Sequence, residues 1–200
     1  MEIFLSICLG VGLSAACGFR IFVPLLCLSL AAKFGGLPLT PAFAWVGSTT
    51  AVIAFGVATL AEIIAYYIPW VDNALDAIAG PLATVAGVVV MASVLTDIEP
   101  FWRWTLAAIA GGGLAASTQL ATTKARAAST LTTGGFANPV LSTLENIMST
   151  VLSIFAVVWP VVALVLVIGI LAVCWLIIWF VGKRVVKFFR HKPVPPTITV

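Results

Sequence analysis

The sequence predicts an all-α, polytopic helical membrane protein, and three observations carry that expectation. Of its 200 residues, 62% are hydrophobic and only 8% are charged. A typical soluble domain is about a quarter charged, so this chain lacks the charge to coat a globular surface in water. Its few charges are also spaced apart. Ala42–Ala61, Ala77–Thr96 and Trp104–Thr123 are uncharged runs of twenty residues each, the length a helix needs to cross a hydrocarbon core of about 30 Å. Finally, half of the ten Lys and Arg residues (Lys183, Arg184, Lys187, Arg190 and Lys192) directly follow the last apolar run. Beside a membrane helix such a cluster is a positive-inside anchor rather than a nucleic-acid surface. The expected location is therefore an inner (plasma) membrane, with the C-terminus in the cytoplasm.

Six spans are expected, near residues 3–33, 42–68, 76–97, 102–124, 140–158 and 161–182. The first begins Met1-Glu2 and lacks the cationic flank of a secretory signal, so it is expected to be retained. "KFGGLPLTP", "PWVDNALD" and "DIEPFW" are turn-rich connections, and "ARAASTLTTGGFANP" (125–139) is a longer polar loop. Trp45, Trp70, Trp102 and Trp104 fall near span ends, where aromatic rings favour the interface. The uncharged run Asn146–Gly182 is too long for one ordinary span. Two helices joined at Trp159-Pro160 would fit it, and so would an interfacial helix over 140–153 followed by one long span. The second arrangement gives five spans and an external N-terminus. Residues 1–182 thus form one transmembrane domain, followed by a basic juxtamembrane segment and proline-rich tail over 183–200.

With six spans the chain divides into halves, 1–99 and 100–182. "GLSAA" (12–16) is similar to "GLAAS" (113–117), and "ATLAE" (58–62) to "STLEN" (142–146). An odd number of spans per half would insert the second half upside down, giving a 3+3 inverted repeat with broken helices. Chance similarity between small-residue helices explains the same matches.

The polar residues inside these runs are the candidate site. Arg20 is the one charge between Ile3 and Ala32. Arginine is effectively always ionised, and placing it near mid-bilayer is costly. Pro24 cannot donate to the Arg20 carbonyl and Gly18 weakens the helix on the other side, so a break at the charge is predicted. Freed amides and a guanidinium would bind an anion or a buried carboxylate. An arginine that snorkels to the interface, or one in a structural ion pair, is the alternative.

Glu62, near the end of its span, is a proton or cation carrier, or else an Arg20 partner that locks two helices. Tyr66 lies one turn beyond it on the same helix face. Asp72 or Asn73 would N-cap the next helix with Asp76 in its first turn, or all three would join Glu62 around a cation. Asn138-Pro139 reads as an N-cap followed by a first-turn proline. Thr133 stands in the Thr/Gly-rich loop before it, which either lines a cavity or is a solvated turn. Glu145 is the glutamate of the second half. Gly111–Gly113, in an apolar run, predict close helix packing.

The elements "GFRIFVPLL" (18–26), "EIIAYYIPWVDNALD" (62–76) and "STLTTGGFANPVLSTLEN" (129–146) resemble the bacterial membrane family known as domain of unknown function 4126. The resemblance implies a bacterial integral membrane protein. It assigns no substrate and no residue role.

Together these residues predict a small transporter or channel with a buried polar site. A non-transporting scaffold whose buried charges hold helices together is the main alternative, and a lipid-head-group enzyme using Asp72, Asp76 and the Thr/Gly loop is a third. No catalytic constellation, cofactor or metal site is expected. Four scattered cysteines (Cys8, Cys17, Cys27, Cys174) and a lone His191 in the tail supply neither metal-ligand spacing nor a triad. The expected partners are the lipid bilayer and a small solute or ion, not nucleic acid, and a homodimer would add volume that six short helices lack.

Overall fold

A computed structural model describes residues 2–173, and the side chains of Pro69, Trp70 and Asn73 lie outside that description. The basic cluster, His191, Cys174 and the tail, with the end of the sixth predicted span, also lie outside the described residues. The chain divides into a body, Met1–Val167, and a segment that begins at Ile168.

Every described element is helical: α1 (Ile3–Cys17), α2 (Phe22–Phe34), a 3-10 stretch (Pro41–Gly47), α3 (Thr49–Ala65), α4 (Pro69–Val94), α5 (Pro100–Leu106), a π-helical stretch (Ala107–Gly112), α6 (Gly113–Thr133) and α7 (Asn138–Val158). A further apolar helix, α8, covers Pro160–Val173. Prolines mark several of the starts. Pro41, Pro69, Pro100 and Pro139 each occupy one of the first two positions of their helix, where the missing N–H costs nothing.

Among the described residues, two helices are long and apolar enough to cross a membrane, Ala74–Val94 and Asn138–Val158, and the bent pair Pro41–Gly47 with Thr49–Ala65 is a third if counted as one. That is fewer than the six runs of the sequence, and the first run shows why. Residues 3–33 do not form one rod. The helix breaks between Cys17 and Phe22, leaving pieces of 15 and 13 residues, each about 20 Å long at 1.5 Å per residue. The pieces fold into a hairpin. α1 runs antiparallel to α4: Gly10 lies against Met91 and Val94, and the Ser14 hydroxyl donates to the Gly87 carbonyl at 2.9 Å. At the tip, Gly18 presses on Ala115 and Thr118 of α6. α2 then turns back, and the Thr40 N–H donates to the Ser93 carbonyl at 2.9 Å. The chain has returned to the end where α1 began.

α7 completes the frame antiparallel to α1, with the Ser149 hydroxyl donating to the Ala16 carbonyl at 3.1 Å and Gly12 packed on Ala156. α3 packs on α2 and the 3-10 stretch, antiparallel to α2: Gly47 lies near Ala32 at one end and Glu62 reaches Ile21 at the other. Leu9, Leu13, Leu28, Val90, Met91 and Leu152 are buried between these helices.

Three expectations need correction. "PWVDNALD" is not a connection, because α4 starts at Pro69 with Ile68 as its N-cap. Asp72 therefore sits in the first turn and does not cap; the Asn73 side chain is outside the described residues. The polar stretch 125–139 is helical as far as Thr133, and the turn is only residues 134–137. It closes with Gly134 and Gly135 at φ of +65° and +90°, the left-handed region that glycine enters without a steric penalty. Asn138 does not cap either: Ala137 is the N-cap, and Asn138 and Pro139 are the first two helical residues. The long run beyond Asn146 does divide at Trp159, as the two-helix arrangement expects, with α7 ending at Val158 and α8 starting at Pro160.

Of the glycine triplet, Gly111 and Gly112 pack closely as expected, whereas Gly113 is exposed and meets nothing within 4 Å. A methyl group on Gly87 would lie 2.5 Å from the Gly111 carbonyl oxygen, so α4 and the π-helical stretch touch backbone to backbone. Neither backbone can move far, and overpacking of this kind typically costs about 1–3 kcal/mol. Gly87→Val is expected to lower stability by at least that amount in detergent unfolding, whereas Gly80→Ala, which meets nothing within 4 Å, is expected to be neutral or stabilising.

Candidate functional site

Two turns stand at one end of the body: residues 66–68 between α3 and α4, and residues 134–137 between α6 and α7. One to two helical turns inside them, α3, α4, α6 and α7 converge on the tip of the α1–α2 hairpin, and there the buried charges meet.

Arg20 is at that tip and only 1% exposed. Its Nη2 pairs with Glu145 Oε2 at 3.3 Å and donates to the Ser142 carbonyl at 3.1 Å. Its Nε donates to Asn146 Oδ1 at 2.5 Å. Among the described residues, Nη1 has no hydrogen-bond partner. Glu62 is not the carboxylate that pairs with Arg20. Its oxygens accept the N–H groups of Ile21 at 2.8 Å and Phe22 at 3.0 Å. The break at Arg20 exposes these amides at the start of α2, and a carboxylate is well placed at a helix N-terminus, where amide dipoles point outward.

Arg126, from α6, is the residue that composition concealed. It is buried and bridges three carboxylates: Nη1 contacts Asp72 and reaches Asp76 Oδ1 at 3.4 Å, while Nε and Nη2 make a bidentate pair with Glu145. Glu145 thus lies between both arginines. The planar guanidinium suits this role, since its donors form a fixed fork. Tyr66 supplies a ring to both cations, with its centroid 3.9 Å from Arg20 Cζ and 4.2 Å from Arg126 Cζ, a cation–π arrangement. Asn138, buried at the start of α7, donates to Asp72 Oδ2 and to Thr130 Oγ1 at 3.2 Å each, leaving its Oδ1 unpartnered.

Of the residues singled out in the sequence, Arg20, Tyr66, Asp72, Asp76, Asn138 and Glu145 thus come together, with Glu62 at the edge of the same cluster. Thr133 does not join them. Its hydroxyl donates to the Ser129 carbonyl and accepts the Ala137 N–H, so it organises the exposed turn. Sequence reading missed Arg126, and the signal that could have found it is its register: Thr118, Thr122 and Arg126 recur at every fourth position, a polar stripe on one helix face, and all three are buried.

Beside the cluster, α3 and α4 stand apart and leave a groove of about 320 Å³. Ile21, Phe22, Ala58, Ala65, Ile78 and Leu82 form much of its almost wholly apolar wall; among the described residues Glu62 is the one charged residue beside it, with its carboxylate oxygens bonded to the Ile21 and Phe22 amides. Among the described residues, no group of three or more His, Cys, Asp or Glu side chains is placed to hold a metal ion.

A family model described as "Domain of unknown function (DUF4126)" matches residues 7–182. Neither a curated protein nor a solved structure matches the chain.

Proposed function

The chain belongs to the family described as domain of unknown function 4126, so its activity must be read from its own buried charges, and we propose that it is a small membrane transporter or channel. The observation that carries this reading is the imbalance of the cluster: among the described residues, four carboxylates (Glu62, Asp72, Asp76, Glu145) gather around two guanidiniums. A purely structural network gains most from matched charges, because an uncompensated buried charge is costly. An excess of carboxylate leaves a place for a proton or cation that comes and goes. Carboxylates within membrane segments commonly serve that purpose. The π-helical stretch beside α4 adds support, since such bulges recur at functional sites.

The finer topology belongs to the same proposal: six spans in an inner membrane, arranged as an inverted repeat. In its support, α3 and α7 carry Glu62 and Glu145 from the two halves, and they run in opposite senses past the hairpin tip.

Asp76 offers the clean test. Its side chain sits at the rim, 16% exposed and 3.4 Å from Arg126, and Arg126 keeps two other carboxylates when it is neutralised. Asp76→Asn should fold like the wild type. Its proton or potassium flux in proteoliposomes should fall by about tenfold or more, the equivalent of about 1.4 kcal/mol in a barrier. Flux equal to the wild type, or wild-type flux no greater than that of protein-free vesicles, removes the proposal. The second reading, a scaffold with structural charges, rests on the pairing of every arginine nitrogen in the cluster except Arg20 Nη1. It predicts no flux at all.

A further inference from the structure

Where the start of α4, the last turns of α6 and the start of α7 meet, the cluster holds more oxygens than donors. Asn138 is only 8% exposed and spends its amide hydrogens on Asp72 Oδ2 and Thr130 Oγ1. Turning that amide over would set oxygen against the Asp72 carboxylate, so its partners fix its orientation. Its Oδ1 is buried and has no hydrogen-bond partner among the described residues. Ser129 Oγ, one residue before Thr130 on α6, is buried and unpartnered in the same way. Asp72 and Asp76 stand beside them, both reaching Arg126 Nη1. Charge gives the sign of the group that fits. Glu62 is held apart by the Ile21 and Phe22 amides. The other three carboxylates, Asp72, Asp76 and Glu145, share two guanidiniums, which leaves one negative charge. A water molecule would satisfy the two oxygens but not the charge. A proton would settle on a carboxylate and leave the amide oxygen, a far weaker base, as it was. A divalent ion would overshoot by one charge, and it favours carboxylate-rich sets; among the described residues no three His, Cys, Asp or Glu are placed to hold a metal ion. An alkali metal cation meets both demands, since hard monovalent ions are held by carbonyl and hydroxyl oxygens with a single carboxylate.

We propose that Asp76, Asn138 and Ser129, with Asp72 beside them, bind one sodium or potassium ion. This names the solute of the transporter reading and rests on that reading for its flux, but binding is tested on its own. Purified protein in detergent would be unfolded by heat in rising sodium or potassium chloride, with N-methylglucamine chloride holding the ionic strength constant. A saturable rise of roughly 5 °C is expected with at least one of the two ions, because a ligand held only by the native state stabilises it. Ser129→Ala deletes a hydroxyl that has no hydrogen-bond partner. It should fold like the wild type and raise the half-saturating concentration several-fold. Asp76→Asn should raise it by about tenfold or more, since the charge that draws the ion is lost. The inference fails if either variant keeps the wild-type dependence, or if magnesium or calcium acts more strongly than both alkali ions. Stabilisation that follows pH and no alkali salt would identify a proton and also end it. So would the absence of any cation-specific shift at molar salt, which leaves the two oxygens to water. Saturable stabilisation without flux in liposomes removes the transporter proposal and leaves the site standing; flux without cation-specific stabilisation does the reverse.

Discussion

Arg126→Met is expected to destabilise the protein by about 3–5 kcal/mol, the usual cost of stripping the partner from buried charges. Asp72, Asp76 and Glu145 converge on this one guanidinium from α4 and α7. Asp72 would lose its ion-pair partner altogether and keep only the Asn138 amide. Lysine should rescue part of the loss, because one ammonium cannot reproduce a bidentate contact to Glu145 while reaching α4. Adding Asp72→Asn and Asp76→Asn to the methionine protein should restore about half of the lost stability, since the repelling carboxylates are removed with the cation. The measurement is reversible unfolding in mixed micelles. A methionine protein within about 0.5 kcal/mol of the wild type, the range of an ordinary surface substitution, shows that the network does not hold α4, α6 and α7 together.

The sequence revealed those features that act locally. Pro139 falls in the first turn of its helix, where its missing N–H costs nothing, whereas Pro69 and Pro100 stood in expected connections and instead open α4 and α5. Arg20, flanked by Gly18 and Pro24, stands where the first helix breaks. The all-helical class followed from composition, and the three quoted family elements lie within the matched residues 7–182. What was hidden depends on direction and on distant neighbours. Hydropathy measures the length of an apolar run, not whether the chain turns back, so the hairpin of α1 and α2 looked like one span. Polarity was misleading in α6. Lys124 is exposed and Arg126, two residues on, is buried, a contrast created by partners 50 and 19 positions away. The pairing of Glu62 with Arg20 was a reasonable guess from charge alone. It missed that a broken helix has amides of its own to satisfy, and that Glu145 reaches the guanidinium from another element.

Glu145→Leu is expected to cost about as much as the loss of Arg126, roughly 3–5 kcal/mol, because it leaves Arg20 with no carboxylate. The reverse change should be milder. In Arg20→Met, Glu145 retains its bidentate pair with Arg126, so no buried charge is orphaned. The double variant, Arg20→Met with Glu145→Leu, removes both halves of the pair and leaves Arg126 with Asp72 and Asp76. Buried pairs are often replaceable by apolar side chains of similar volume, so the double variant should recover most of what Glu145→Leu loses. The coupling energy between the two sites should fall in the range of about 0.5–3 kcal/mol found for contacting residues. A coupling near zero means that Asn146 and the Ser142 carbonyl, not Glu145, hold the guanidinium. The recovered protein then separates the two functional readings, since its hairpin tip is intact but carries no charge. If it moves ions as the wild type does, the arginine only fastens α2 to α7. If it folds and moves none, the Arg20–Glu145 pair is what the solute meets.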